Sequence, residues 1–229
     1  MSINATGPIA CRYCDLVEVC RLCGIIARRE SGELQRAGTA PRTLPVGARL
    51  FRAGEPAHSL FAVRQGMLKT VDVGTDGEEH VVAVNTPGDV LGTEAFGKRI
   101  YVHDVVAVQP VAYCKLPLSL LSTQYARVNE LAIALINMLS RASVRRAPPV
   151  RGTIHQRVAA LILELSRRFE QSGADGRRFS LGMTRQEIAS LLGTRIETVS
   201  RTLQKMHREK EIEVAGQQVT LLSLKPATV

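Results

Sequence analysis

MTRQEIASLLGTRIETVSRTLQKMHREK, residues 183–210, carries two helix signatures separated by one glycine. Thr184, followed three residues later by Glu187, makes a capping-box pattern: the threonine oxygen and the glutamate carboxylate take up backbone N–H groups that a first helical turn leaves free. Ile188, Leu191 and Leu192 then share one face, and Gly193 supplies a residue that tolerates the left-handed conformation ending a helix. Thr194 and Glu197 repeat the capping pattern, and Ile196, Val199, Leu203 and Met206 recur as the apolar stripe of a second helix. The spacing predicts a helix-turn-helix.

The second helix carries its chemistry on the other face. Glu197 and Arg201 stand four residues apart, with Lys205 a turn further on and Ser200 at the border. Arginine can grip guanine O6 and N7 with two hydrogen bonds, glutamate can accept from the cytosine amino group, and serine can do either. Arg185, Arg195 and Thr198, near the starts of the two helices, complete the candidate DNA-binding set with Glu197, Ser200, Arg201 and Lys205. A solvated helix in which Glu197 and Arg201 pair only with each other is the plainer reading. Two capped helices around a glycine form a specific enough pattern to outweigh it. The run Ile196-Glu197-Thr198-Val199-Ser200-Arg201 resembles the recognition helix of the CRP/FNR family of bacterial transcription regulators, in its FNR branch.

A chain of 229 residues has room for two modest cores. Its net charge of +9 suits a polyanionic partner such as double-stranded DNA, though surplus arginine also serves solubility. No apolar run approaches membrane-spanning length, and the N-terminus lacks the apolar core of a signal peptide, so a cytoplasmic protein without a membrane partner is expected. Residues 1–10 hold no periodic pattern and are expected to be mobile. In a reducing compartment, five cysteines with four in the first 23 residues point to metal ligands or redox groups rather than structural disulfides.

Cys11, Cys14, Cys20 and Cys23 are separated by two, five and two residues. Such spacings let one turn wrap a corner of an iron–sulfur cluster while a remote cysteine closes it, and Cys114 is the candidate. A zinc knuckle of Cys11, Cys14, Cys20 and Cys23 is the alternative, with a central loop shorter than zinc sites usually use. Residues 24–43 look like a polar connector with one helical turn. From residue 43 to 117 the texture changes to short β-branched runs punctuated by glycine at roughly ten-residue intervals, which predicts a barrel or sandwich. The runs are 49–51, 60–63, 68–73, 80–84, 102–108 and 111–116.

This block, with its PGDVLG segment at residues 87–92, resembles the cyclic-nucleotide-binding fold that forms the sensor half of the same family. Nucleotide-binding members carry a phosphate-gripping arginine shortly after their glycine-glutamate turn. Here Gly92-Thr93-Glu94-Ala95-Phe96 leads to Tyr101-Val102-His103-Asp104 where that motif should continue, and Asp104 would repel a phosphate. The pocket therefore reads as a retained scaffold, with Glu94 and Arg99 as surface or turn residues. Resemblance to the FNR-type oxygen sensors implies a 4Fe-4S cluster held by Cys11, Cys14, Cys20 and Cys114, the last lying just before Pro117. Cys23 departs from that pattern and leaves Cys20 or Cys23 open as the third ligand, with spacing favouring Cys20.

Residues 125–147 show two apolar stripes, one through Val128, Leu131, Leu135 and Met138, the other through Ala132, Ile136, Leu139 and Ser143. A helix apolar on two sides has two partners, and the family resemblance assigns them to its own barrel and to a symmetry mate. Arg146 continues the second stripe, where FNR regulators keep an acidic residue whose repulsion holds the cluster-free form monomeric. Like charges repel whatever their sign, so Arg146 is expected to act as the same brake. Pro148 and Pro149 stop the helix and mark a boundary. Ile154, Val158, Leu161, Ile162, Leu165 and Phe169 make a further amphipathic helix, and residues 212–222, turning near Gly216, make a wing hairpin.

The expected protein is α+β: a cysteine-rich cluster-binding segment (1–24), a cyclic-nucleotide-binding-type β-barrel or jelly roll (25–122), a dimerisation helix (123–147) and a winged helix-turn-helix domain (148–229). The expected function is that of a homodimeric, oxygen-responsive transcription regulator and not an enzyme, with cluster integrity controlling dimerisation. The resemblance implies a near-palindromic site of TTGAT type and a contact with RNA polymerase at Asp76-Gly77-Glu78. A cyclic-nucleotide-dependent or zinc-dependent regulator of the same fold is the alternative.

Overall fold

The computed structural model describes residues 11–28, 34–36, 42–74, 77–146, 152–171 and 173–224. The N-terminal stretch expected to be mobile, the Pro148-Pro149 boundary and Asp76 lie outside these residues. A 3-10 turn at Cys11–Tyr13 leads into α1 (Val17–Leu22). β1 (Ile26–Arg28) and β2 (Leu34–Arg36) then pair antiparallel. In the described part of the connector expected between residues 24 and 43 stand those strands and the start of β3 (Arg42–Leu44), and the rest of that segment lies outside the described residues. Periodicity fails on three-residue strands, because they are too short to alternate visibly.

The β-domain continues with β4 (Arg49–Phe51), β5 (Ser59–Gln65), β6 (Leu68–Val73), β7 (Glu79–Asn85), β8 (Val90–Leu91), β9 (Asp104–Ala107) and β10 (Val111–Pro117). They form two four-stranded antiparallel sheets of jelly-roll type, ordered β3-β10-β5-β8 and β4-β9-β6-β7. Strand alternation assigns each side chain to a face. On β5, Phe61 and Val63 join Phe51, Leu68, Val105 and Val111 in the core between the sheets, where Phe51 stacks on Tyr101 with ring centroids 4.0 Å apart. Leu60 and Ala62 point the other way, with Cys114 and Leu116 of β10, into a second core shared with α1.

The lid on that second core comes after α2 (Ser119–Ser122) and a 3-10 turn at Tyr125–Arg127: helix α3 (Val128–Arg146). Leu131, Ala134, Met138 and Ala142 are buried, while Ala132, Ile136, Leu139 and Ser143 are exposed. The two-sided helix is thus present, with one correction: Val128 is exposed, and Ala134 and Ala142 supply the buried stripe. Val128 is the first helical residue after the 3-10 turn, so the tighter turn before it shifts the stripe.

The C-terminal domain comprises α4 (Ile154–Gln171), β11 (Arg178–Ser180), α5 (Arg185–Leu191), α6 (Ile196–Arg208), β12 (Ile212–Ala215) and β13 (Gln218–Leu221). Val158, Ile162 and Leu165 of α4 pack with Ile188, Leu192, Val199, Leu203 and Met206. β12 and β13 form the wing. No helix among the described residues is long and apolar enough to cross a membrane.

Candidate cysteine centre and nucleic-acid interface

Strand pairing, not sequence proximity, builds the cysteine centre. Cys114 on β10 lies opposite Ala62 on β5, both facing out of the sandwich, and Arg64 follows Ala62 on the same face. The N-terminal segment folds over this face. Cys14 donates its backbone N–H to the Cys11 carbonyl, Cys20 donates to Leu16, and the Asp15 N–H reaches the Gly88 carbonyl of the turn before β8. Cys11, Cys14, Cys20 and Cys114 thereby line one cavity with Leu16, Val17, Ile26, Ala62 and Arg64. Cys23 sits at the end of α1, half-buried and outside that lining.

Two observations bear on what these sulfurs could hold. Among the described residues no three cysteine sulfurs lie mutually within 4.8 Å. A single tetrahedral zinc with bonds of about 2.3 Å draws its thiolates to about 3.8 Å from one another, whereas a four-iron cluster takes one thiolate at each of four separated irons. The donor chemistry fits the cluster. The cavity itself is about 10 Å³, room for little more than one water. Burial pushes the Cys14 thiol up to about 12, so without a metal it stays protonated and inert, and burial also raises Cys23.

The segment is tied to α3. Arg141 reaches the Asp15 carboxylate with its Nε at 3.2 Å, and Nη2 donates to the Asp15 backbone carbonyl at 3.5 Å. Asp15 is 4% exposed and lies between the ligand candidates Cys14 and Cys20. Asp15 thereby links the N-terminal segment to the helix whose outer face carries Ile133, Ile136 and Leu139 in the open, 61%, 64% and 39% exposed. Arg146 closes α3, and its side chain lies outside the described residues.

A second cavity, about 230 Å³, is lined by Phe51, Thr70, Leu91, Gly92, Glu94 and His103 among others. Among the described residues its lining includes no lysine or arginine. Asp104 accepts from Arg49 Nε and from the Ala53 N–H, both at 2.7 Å, and Arg99 is an exposed turn residue with φ of 56°. Glu94, in the 3-10 turn Thr93–Phe96 as expected of a turn residue, also stands in the pocket wall.

In the C-terminal domain, the Thr184–Glu187 capping box is present, with the Thr184 hydroxyl accepting from the Glu187 N–H and the Glu187 carboxylate accepting from the Thr184 N–H. The second box, Thr194 with Glu197, is absent. The Thr194 N–H donates to Ala189 and the Gly193 N–H to Ser190, so both residues finish α5 in a Schellman arrangement, with Gly193 at φ 57°. Arg195 becomes the N-cap of α6 without a side-chain cap, which moves Glu197 one position too early to close a box. The reading face survives this shift: Arg195, Glu197, Arg201 and Lys205 are exposed, and Thr198 and Ser200 are half-buried beside them. Arg185 stands apart, sharing a groove of about 310 Å³ with Gln204, His207 and Arg208.

A jelly-roll sandwich, a long helix with an uncovered apolar face and a winged helix-turn-helix define a DNA-binding transcription regulator. Residues 156–225 match the Crp-like helix-turn-helix domain, and residues 41–127 match the cyclic nucleotide-binding domain. The chain belongs to the CRP/FNR family. It is 28% identical to the transcriptional activator protein anr of Pseudomonas aeruginosa, over 97% of this chain and 92% of that one. It is 27% identical to the fumarate and nitrate reduction regulatory protein of Escherichia coli, over 93% of this chain and 86% of that one. Among solved structures, FixK2 from Bradyrhizobium japonicum shares the fold with a TM-score of 0.65 at 24% identity, covering 81% of this chain and 93% of that one. A putative cAMP-binding regulatory protein from Silicibacter pomeroyi gives 0.65 at 22% identity, covering 93% and 92%.

Proposed function

We propose that this regulator senses oxygen or redox state through a 4Fe-4S cluster held by Cys11, Cys14, Cys20 and Cys114. The observation that carries the reading is the convergence of these four, without Cys23, on one cavity beneath the dimer-type helix α3. Relatives named as anaerobic and fumarate and nitrate reduction regulators agree with it. The cluster, when bound, supplies an oxygen-labile group. The chain's own residues do the rest: α1 shifts with the contents of the cavity, Asp15 passes that shift to Arg141, and α3 presents Ile133, Ile136 and Leu139 to a second copy.

Two copies related by a two-fold axis place their α6 helices on half-sites about one helical turn apart, so the operator is a near-palindrome, of TTGAT type by family resemblance. Arg146, continuing the outer stripe, opposes its symmetry mate as a like charge and raises the threshold for dimerisation. Asp76-Gly77-Glu78 is the proposed RNA polymerase contact. The protein works in the cytoplasm as a regulator rather than an enzyme. The Glu94-bearing pocket, without lysine or arginine among the described residues of its lining, argues against cyclic nucleotide control.

The test is iron and sulfide analysis of protein made without air, alongside the five single cysteine-to-serine variants. The parent and Cys23→Ser are brown and bleach in air, and the other four lose the chromophore. A colourless Cys23→Ser overturns the ligand assignment, and a colourless parent containing zinc overturns the cluster.

A further inference from the structure

Arg64 is a cation placed where an isolated cation is costly. It faces out of β5 beside Ala62, is 9% exposed, and stands in the wall of the cysteine cavity. Its Nη1 donates to the Cys11 Sγ at 3.1 Å, while its Nε is buried without a hydrogen-bond partner. Among the described residues, apart from Arg64 and the four cysteines, the wall is Leu16, Val17, Ile26 and Ala62, none of which carries a charge. A buried guanidinium without a negative partner is poorly compensated. Against four thiolates the balance reverses, because four thiolates around a 4Fe-4S core leave a net negative charge in an apolar pocket.

We propose that Arg64 is the charge-compensating residue of the cysteine centre, holding Cys11 by an N–H···S hydrogen bond and setting the reduction potential and air stability of a cluster bound there. This rests on the cluster reading above. The physical ground is that hydrogen bonds to sulfur and nearby positive charge stabilise the more negative state and so raise a cluster's potential. Removing the charge lowers the potential and makes the cluster easier to oxidise.

The experiment uses full-length parent, Arg64→Met and Arg64→Lys, made anaerobically, with circular dichroism checking the fold. The midpoint potential of the chromophore and its half-life after mixing with air-saturated buffer are measured. Arg64→Met gives a lower potential and a half-life shortened about threefold or more, and Arg64→Lys returns both towards the parent. An Arg64→Met protein without cluster, rescued by Arg64→Lys, supports the proposal equally. Parent-like behaviour of Arg64→Met, or equal impairment of both variants, overturns it. A parent that assembles no cluster fails the cluster reading itself, an outcome distinct from either.

Discussion

Arg201 tests whether the exposed face of α6 reads bases or only phosphates. It is exposed with Glu197 and Lys205, and Lys205 leans towards Glu209 at 3.8 Å, which leaves the middle of the face to Arg201. If Arg201 grips a guanine with both hydrogen bonds, Arg201→Ala costs about 1 to 3 kcal/mol per half-site and relaxes preference at one base pair. Binding to single-base operator variants over a salt series measures this. A uniform loss with a shallower salt slope would make Arg201 a phosphate contact instead. At this scale the helical period made the reading face legible, because only i, i+4 spacing was needed. Arg64 was not legible, since one arginine in a β-run looks like any solvent-facing position until pairing sets Ala62 opposite Cys114. The second capping box misled for a related reason: Thr194 has the right side chain, but its backbone N–H is already taken by α5.

The elements meet at a contact no local pattern announces, where the helix-turn-helix docks on the β-domain. Lys69 of β6 reaches Glu187 of α5 at 2.5 Å, Arg168 of α4 reaches Asp89 at 3.0 Å, and Met67 sits within the C-terminal core. Gly182 allows the close approach, as a Cβ there would lie 2.7 Å from the Met67 sulfur. Burial alone would raise the Glu187 carboxyl, but hydrogen bonds from Lys69 and Thr184 outweigh it and hold the group below the usual glutamate range. A folded-state pKa below the unfolded one adds stability that is present above the unfolded value and lost as pH falls through the folded value. Glu187→Gln keeps a capping side chain while removing the charge. We expect it to be less stable than the parent by roughly 1 kcal/mol at neutral pH, with the gap closing as pH drops below the ordinary glutamate range. Urea unfolding at neutral and acid pH reads this, and a gap that does not change with pH would remove the ion pair from the account. The long strands and α4 to α6 were legible from period alone, whereas β1 to β3 and the docking depend on partners distant in sequence.

For the whole molecule the question is what covers α3. Ile133, Ile136 and Leu139 stay exposed on a helix whose opposite stripe is buried, and the family assembles as dimers. In a two-fold dimer each substitution acts twice. Losing an isoleucine side chain from such an interface costs about 2 kcal/mol per copy, so Ile136→Glu costs about 4 kcal/mol before the two glutamates repel, or roughly a thousandfold in dimer affinity. The cysteine cavity lies on the other side of the helix, so, on the proposed cluster and palindrome, the variant is predicted to keep the parent's anaerobic chromophore while sedimenting as a monomer and losing its hold on DNA. Arg141→Ala is predicted to differ in kind: the interface residues remain, but the tie to Asp15 is cut, so dimerisation no longer follows the state of the cysteine centre. Sedimentation of both variants with and without air, beside chromophore content, separates the two. An Arg141→Ala protein whose association still tracks air as the parent's does would show that the signal reaches α3 through α1 packing alone. An Ile136→Glu protein that remains dimeric would place the two-fold contact elsewhere on the molecule.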